Sequence, residues 1–171
     1  LMHVCNARGY SCVIYMPDTQ SPENVELLKT LGAEVREVPA LPYKDEMNYQ
    51  KQAGRFAQTL SNGVWANQFD NVANRLAHYE STGPEIWQQT NGRIDGFICA
   101  VGSGGTLAGV AEALRARNPD VKIGLADPEG AALYEYYAHG ELKSSGGSIT
   151  EGIGQGRITA NLEDAPVDRS Y

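Results

Sequence analysis

Apolar and polar residues change period repeatedly along the chain, from the helical spacing of three and four to short continuous runs. Leu1, Met2, Val4 and Cys5 with Arg8 and then Gly9 predict a helix ending at a glycine stop. Ser11–Met16 reads as a buried strand closed by Pro17. Ser21 followed by Pro22 sets an N-cap and a first-turn proline, and Val25, Leu27, Leu28 and Leu31 carry an apolar face to Gly32. Ala33–Val38 predicts a second strand, and residues 47–60 an amphipathic helix with Tyr49, Phe56 and Leu60 as its larger apolar members. Gly63–Asn67 reads as a short strand. Residues 72–80 and 84–90 read as helices separated at Gly83-Pro84. Gly96–Val101 is the clearest buried strand, followed by a helix from Leu107 to about Arg117, a strand at Val121–Ala126 and a short helix at Ala131–Tyr137. Residues 144–156 are rich in glycine and predict a loop. The alternation of strands and helices calls for parallel strands with right-handed crossovers, hence a layered α/β fold with a parallel sheet.

Composition narrows the classes. In 171 residues there are 14 basic and 21 acidic side chains, a net charge of −7, which argues against a nucleic-acid backbone as partner. No apolar run approaches the ~20 residues that cross a bilayer, so no membrane partner is expected. Cys5, Cys12 and Cys99 are too few for a disulfide framework, which points to a reducing, cytoplasmic setting. Position 1 is Leu in a helix without its N-cap, and the stretch from Arg157 to Tyr171 completes no obvious element. The sequence therefore reads as a window on a longer protein.

The strongest chemical signal is a strand running straight into Gly102-Ser103-Gly104-Gly105-Thr106 and then a helix. A helix N-terminus presents unpaired N–H groups and a positive dipole end, which suit a phosphate. The glycines allow close backbone approach, and Ser103 and Thr106 add hydroxyls. The run is neither a Walker loop nor a dinucleotide fingerprint; its bland alternative is a tight turn. A second candidate is the polar corner Asn67-Gln68-Phe69-Asp70-Asn71. It either hydrogen-bonds a small polar substrate or caps the next helix through Asp70 or Asn71. Residues 150–156 either close over a site with their backbone or form an ordinary surface loop. His3, His78 and His139 are scattered and lack zinc spacing, so no metal is expected. Cys99 reads as buried and inert. Tyr134, Tyr136 and Tyr137 read as helix packing or a subunit contact.

The run NQFDNVANRLAHYESTGPEIWQQTNGRIDGFICAVGSGGTLAGV resembles the cysteine synthase (O-acetylserine sulfhydrylase) family. That family lies within fold type II of the pyridoxal-phosphate enzymes, with cystathionine β-synthase a near relative. The similarity runs from about Ala7 to Tyr171, and NQF, TGPEIW and GSGGT in that order are far more specific than GSGGT alone. The resemblance implies that Gly102, Ser103, Gly104, Gly105 and Thr106 hold the phosphate of pyridoxal 5'-phosphate. It implies that Gln68 and Phe69 meet the amino-acid substrate and that Gly152 and Ile153 lie near the cofactor. Residues 1–70 would form part of a smaller, mobile lobe and 71–171 part of a larger one. The implied activity is β-replacement making cysteine from O-acetylserine and sulfide, in a homodimer.

The family's Schiff-base lysine belongs to an S-x-K-D-R-type motif expected ahead of Leu1, and its substrate-loop asparagine is expected there too. The residue meeting the pyridine nitrogen is expected beyond Tyr171. Lys29, Lys44, Lys51, Lys122 and Lys143 lie in exposed or charged settings, so none is assigned a catalytic role. The alternatives are a catalytically silent lobe that keeps only the phosphate site, and a cystathionine β-synthase-like β-replacement.

Overall fold

The computed structural model describes residues 1–145, 150 and 152–171. The chain divides into two compact units, Leu1–Asn67 and Gln68–Tyr171. Part of the glycine-rich loop expected at 144–156, namely residues 146–149 and 151, lies outside the described residues.

In the first unit, α1 (Met2–Arg8) ends at Gly9, whose φ of 70° only glycine adopts without strain. The Tyr10 N–H returns to the Cys5 carbonyl, which satisfies one of the helix's last acceptors. Strand β1 (Val13–Pro17) lies parallel to β2 (Glu34–Val38), with α2 (Pro22–Thr30) as the crossover. The expected cap forms: the Ser21 side chain accepts from the Asn24 N–H at 3.4 Å, and Pro22 occupies the first turn. A small core of Met2, Cys5, Cys12 and Ala33 sits under this pair, joined by Ile14, Leu28, Leu31 and Val35. Helix α3 (Tyr49–Gln58) starts at Asn48, which is buried and donates to the Leu41 carbonyl at 2.7 Å. Arg36 lies 4.0 Å over the Phe56 ring and donates to the Tyr15 hydroxyl at 2.6 Å.

The strand expected at Gly63–Asn67 does not form. No neighbouring strand pairs with it among the described residues, Val64 is 89% exposed, and Trp65 instead lies across Gly54 of α3. Apolar content without a ladder partner leaves only a loop.

The second unit holds three parallel strands in the order β3 (Gly96–Ala100), β4 (Lys122–Ala126) and β5 (Arg169–Ser170). Its core gathers Val101, Leu107, Val110, Ala111, Leu114, Val121, Ile123, Leu125, Leu133 and Leu162, all with at most 1% exposure. Helix α6 (Gly105–Arg115) supplies four of these, Leu107, Val110, Ala111 and Leu114, and is buried on nearly every side. Helix α7 (Leu133–His139) closes another edge through Leu133 and Tyr137. The parallel, layered α/β arrangement is the one the residue pattern predicts.

Three expectations for this unit are corrected. Strand β3 is half-buried: Phe97 and Cys99 face the core, while Ile98, on the opposite face of the strand, is 59% exposed. Gly83-Pro84 does not break the helical run. Helix α4 (Ala73–Ala77) passes through a π segment (His78–Thr82) directly into α5 (Gly83–Gln89). There the Gly83 N–H reaches the His78 carbonyl five residues back. Proline cannot donate and its ring crowds the carbonyl four residues earlier, so a widened turn carries the chain past Pro84. Finally, residues 157–171 contribute to the core: Thr159, Asn161 and Leu162 are fully buried, and β5 adds a strand. Asp168 secures that strand by accepting from the Ile123 N–H at 2.6 Å and pairing with Arg115.

Candidate functional site

The carboxyl end of β3 delivers residues 101–104 to the N-terminus of α6, where parallel α/β folds place their ligands. Gly104 is the N-cap with φ 91°, a conformation that favours glycine. Gly104 and Gly105 are buried, yet among the described residues no acceptor takes the backbone N–H of Ser103, Gly104, Gly105 or Thr106. Buried N–H groups without acceptors are costly, and these two, with the unpaired N–H groups of Ser103 and Thr106 beside them, converge at a helix start with the geometry of an anion cradle.

The protein side of the cradle is filled to contact. A Cβ on Gly102 would stand 2.4 Å from the Gly152 carbonyl oxygen, one on Gly104 2.9 Å from Leu162 Cβ, and one on Gly105 2.4 Å from Asn74 Oδ1. The glycines are therefore demanded by packing behind the loop, as well as by approach of a ligand in front. The same contact sets Gly152 beside Gly102, and the Gly154 N–H donates to the Val101 carbonyl at 3.0 Å. Ile153 lies between them, half-buried.

The hydroxyls are held by the helical run α4–π. Asn74 Nδ2 donates to Ser103 Oγ at 2.8 Å and to the Gln68 carbonyl at 2.8 Å. His78 Nε2 lies 3.0 Å from Thr106 Oγ1, and its Nδ1 lies 2.9 Å from Thr82 Oγ1.

The corner 68–71 reaches the same place. Asn161 is fully buried, and its Nδ2 donates to the carbonyls of Gln68 and Phe69 at 3.0 and 2.8 Å. Its Oδ1 accepts the Arg75 N–H at 3.0 Å. Thr159 Oγ1 donates to the Ser103 carbonyl at 2.6 Å, so one tail segment ties the corner to the loop. Gln68 is exposed, with its backbone fixed and no hydrogen bond on its carboxamide among the described residues. Asp70 neither caps nor faces outward: it pairs with Arg157 through both oxygens at 2.8 and 2.7 Å and accepts the Ala160 N–H at 3.0 Å. The Arg157 guanidinium holds the Asp70 carboxyl below its ordinary range. Nor is Asn71 the N-cap: that position is Val72, and Asn71, one residue earlier, accepts from the Ala73 N–H at 3.1 Å.

Asn74, His78, Arg157, Thr159 and Asn161 were not singled out as site residues from the sequence. The first two sit at i and i+4, a spacing that faces one side of a helix and was visible. The other three lie in an irregular segment with no period. Elsewhere, burial pushes the Cys99 thiol up, and the Tyr137 hydroxyl up to about 12.

The family of pyridoxal-phosphate dependent enzymes matches residues 1–170. The chain belongs to that family. Within it, the chain is 55% identical over 166 residues to cysteine synthase 1 of Neurospora crassa, covering 95% of this chain and 44% of that protein. Cysteine synthase 1 of Emericella nidulans is likewise 55% identical over 95% of this chain and 45% of its own length. The chain thus spans a little under half of these relatives. Among solved structures, the O-acetylserine dependent cystathionine β-synthase of Helicobacter pylori superposes with a TM-score of 0.86 at 28% identity. That match covers 99% of this chain and 53% of the other.

Proposed function

We propose that the protein to which this chain belongs is a pyridoxal-phosphate-dependent cysteine synthase, making cysteine from O-acetylserine and sulfide. The observation that carries the reading is the cradle of unpaired N–H groups at Ser103–Thr106, in a chain 55% identical to named cysteine synthases. Its residues fit the phosphate: four backbone donors, the N-terminal dipole of an 11-residue helix and two hydroxyls, with no carboxylate hydrogen-bonded to the loop among the described residues. Bound there, pyridoxal phosphate supplies an electron sink for bonds broken at the α and β carbons of an amino acid.

The chain's own part is binding and orientation. Gly102–Thr106 anchor the phosphate. Gln68, its backbone pinned by Asn74 and Asn161, offers its carboxamide to the amino-acid substrate, with Phe69 beside it. Gly152 and Ile153 border the loop from the other side. In this reading residues 1–70 are part of a smaller lobe and 71–171 part of a larger one in a fold type II enzyme, acting as a cytoplasmic homodimer.

The test is made on the full-length protein. Borohydride reduction followed by intact mass should give a chain heavier by one pyridoxyl group, and O-acetylserine with sulfide should yield cysteine. Thr106→Val, which removes a hydroxyl at constant shape, should weaken cofactor affinity. A bare mass after reduction, in protein incubated with excess cofactor, overturns the cofactor assignment. A pyridoxyl adduct without cysteine formation overturns the substrate assignment alone.

A further inference from the structure

We propose that Asn74 and His78 are positioning residues that fix the direction of the two cradle hydroxyls, turning the O–H of Ser103 and of Thr106 toward the phosphate. The inference rests on the phosphate reading above.

A hydroxyl has one proton and two lone pairs. When a protein acceptor takes the proton, none is left for an anion. Asn74 Nδ2 lies 2.8 Å from both the Gln68 carbonyl oxygen and Ser103 Oγ. A carbonyl cannot donate, so the amide must present its NH2 edge to this side, and Ser103 Oγ is then the acceptor. Its own proton stays uncommitted. The side chain that fixes the Gln68 backbone thus also sets the Ser103 hydroxyl.

His78 does the same for Thr106 by a less obvious route. With a neutral ring, either Thr106 donates to Nε2 and Nδ1–H donates to Thr82, or Thr82 donates to Nδ1 and Nε2–H donates to Thr106. Only the second leaves the Thr106 proton free for an anion. A phosphate in the cradle therefore selects the Nε2–H tautomer. Three hydrogen bonds then point one way, from Thr82 through His78 and Thr106 to the phosphate. The root of the ring is tightly placed: a Cβ on Gly109 of α6 would stand 2.8 Å from His78 Cβ. The widened π turn that begins at His78 and ends at Thr82 puts both ring partners in reach.

The experiment uses the full-length protein with pyridoxal 5'-phosphate, and inorganic phosphate as a second probe. Imidazole 15N shifts at saturation should report protonated Nε2 and unprotonated Nδ1 for His78. His78→Leu should weaken pyridoxal 5'-phosphate binding roughly tenfold, the scale of one hydrogen bond to a charged group. His78→Gln, whose amide nitrogen can still donate, should recover most of that loss. Protonated Nδ1 with an unprotonated Nε2 in the saturated protein overturns the proposal. So does His78→Leu binding as tightly as the wild type while Thr106→Val binds weakly, because the hydroxyl would then matter without its histidine. If the wild type binds neither probe, the phosphate reading itself falls, and this inference with it.

Discussion

Asn161 shows what one buried side chain can be asked to do. It satisfies two carbonyls of the corner and the N–H of Arg75 while having no exposed surface. Replacing it by leucine leaves the Arg75 N–H without its acceptor and takes one donor from each of the Gln68 and Phe69 carbonyls, so Asn161→Leu should lower stability by about 2–3 kcal/mol, read from the urea midpoint. Asp70 gives a prediction with a sign. Its folded pKa is depressed, chiefly by Arg157 and then by the Ala160 N–H, against desolvation. The stabilisation is thus complete above the unfolded carboxylate value of about 4 and is lost as pH falls through the lower folded value. Asp70→Asn should flatten the acid limb of the stability profile below about pH 4. An unchanged slope there would show that Asp70 does not dominate the acid response.

At the level of elements, the governing contact is the crossing of α6 by the α4–π–α5 run. Gly109 would place a Cβ 2.3 Å from the Arg75 carbonyl oxygen, and Gly83 one 2.4 Å from Ala113 Cβ. Helix propensity favours Ala over Gly by about 1 kcal/mol in a helix interior. Here the neighbour at position 109 is backbone, which cannot swing aside, and overpacking costs about 1–3 kcal/mol. Gly109→Ala should therefore destabilise, with a lower thermal midpoint. Because Arg75, His78 and Tyr79 would all shift, its binding of pyridoxal 5'-phosphate should weaken too. The elements were largely legible from the sequence: α2 with its Ser21 cap, α6 and the strands at 13–17, 34–38, 96–100 and 122–126 all follow from local period and punctuation. Where the reading failed, a partner decided. The segment 63–67 has strand-like residues without a paired neighbour. Pro84 is tolerated because a π turn precedes it.

Across the whole chain, the two units differ in how much they bury. The second is built on Leu107, Leu114, Ile123, Leu125, Leu133 and Leu162, none more than 1% exposed, whereas the first gathers Met2, Cys5, Cys12 and Ala33 at 5–9%. Buried apolar area sets the free energy of local opening. Amides of β4 and α6 should exchange with deuterium slowest, and those of α1 and α2 much earlier. Exchange at equal rates in both would contradict this ordering. Added pyridoxal 5'-phosphate should slow exchange in α6 and at 101–106, since ligand binding stabilises the folded state, by about 2.7 kcal/mol at a hundredfold excess over Kd.

The fold class, the parallel order and the glycine loop proposed to hold the phosphate were written in local features that the chain carries itself: apolar runs of strand length, a serine before a proline, glycines at a strand's end. Gly102–Thr106 could be picked out because a strand, a glycine cluster and a helix are adjacent in sequence. The supports of that loop could not. Asn74 lies 29 positions from Ser103, Thr159 lies 56 from the carbonyl it binds, and Asn161 lies 93 from Gln68. Their side chains obey no period, and each acquires its role only when α4, the loop and the tail are brought together. Local pattern reports what a segment can form, while hydrogen-bond direction and close packing are properties of pairs, and only the folded chain chooses the pairs.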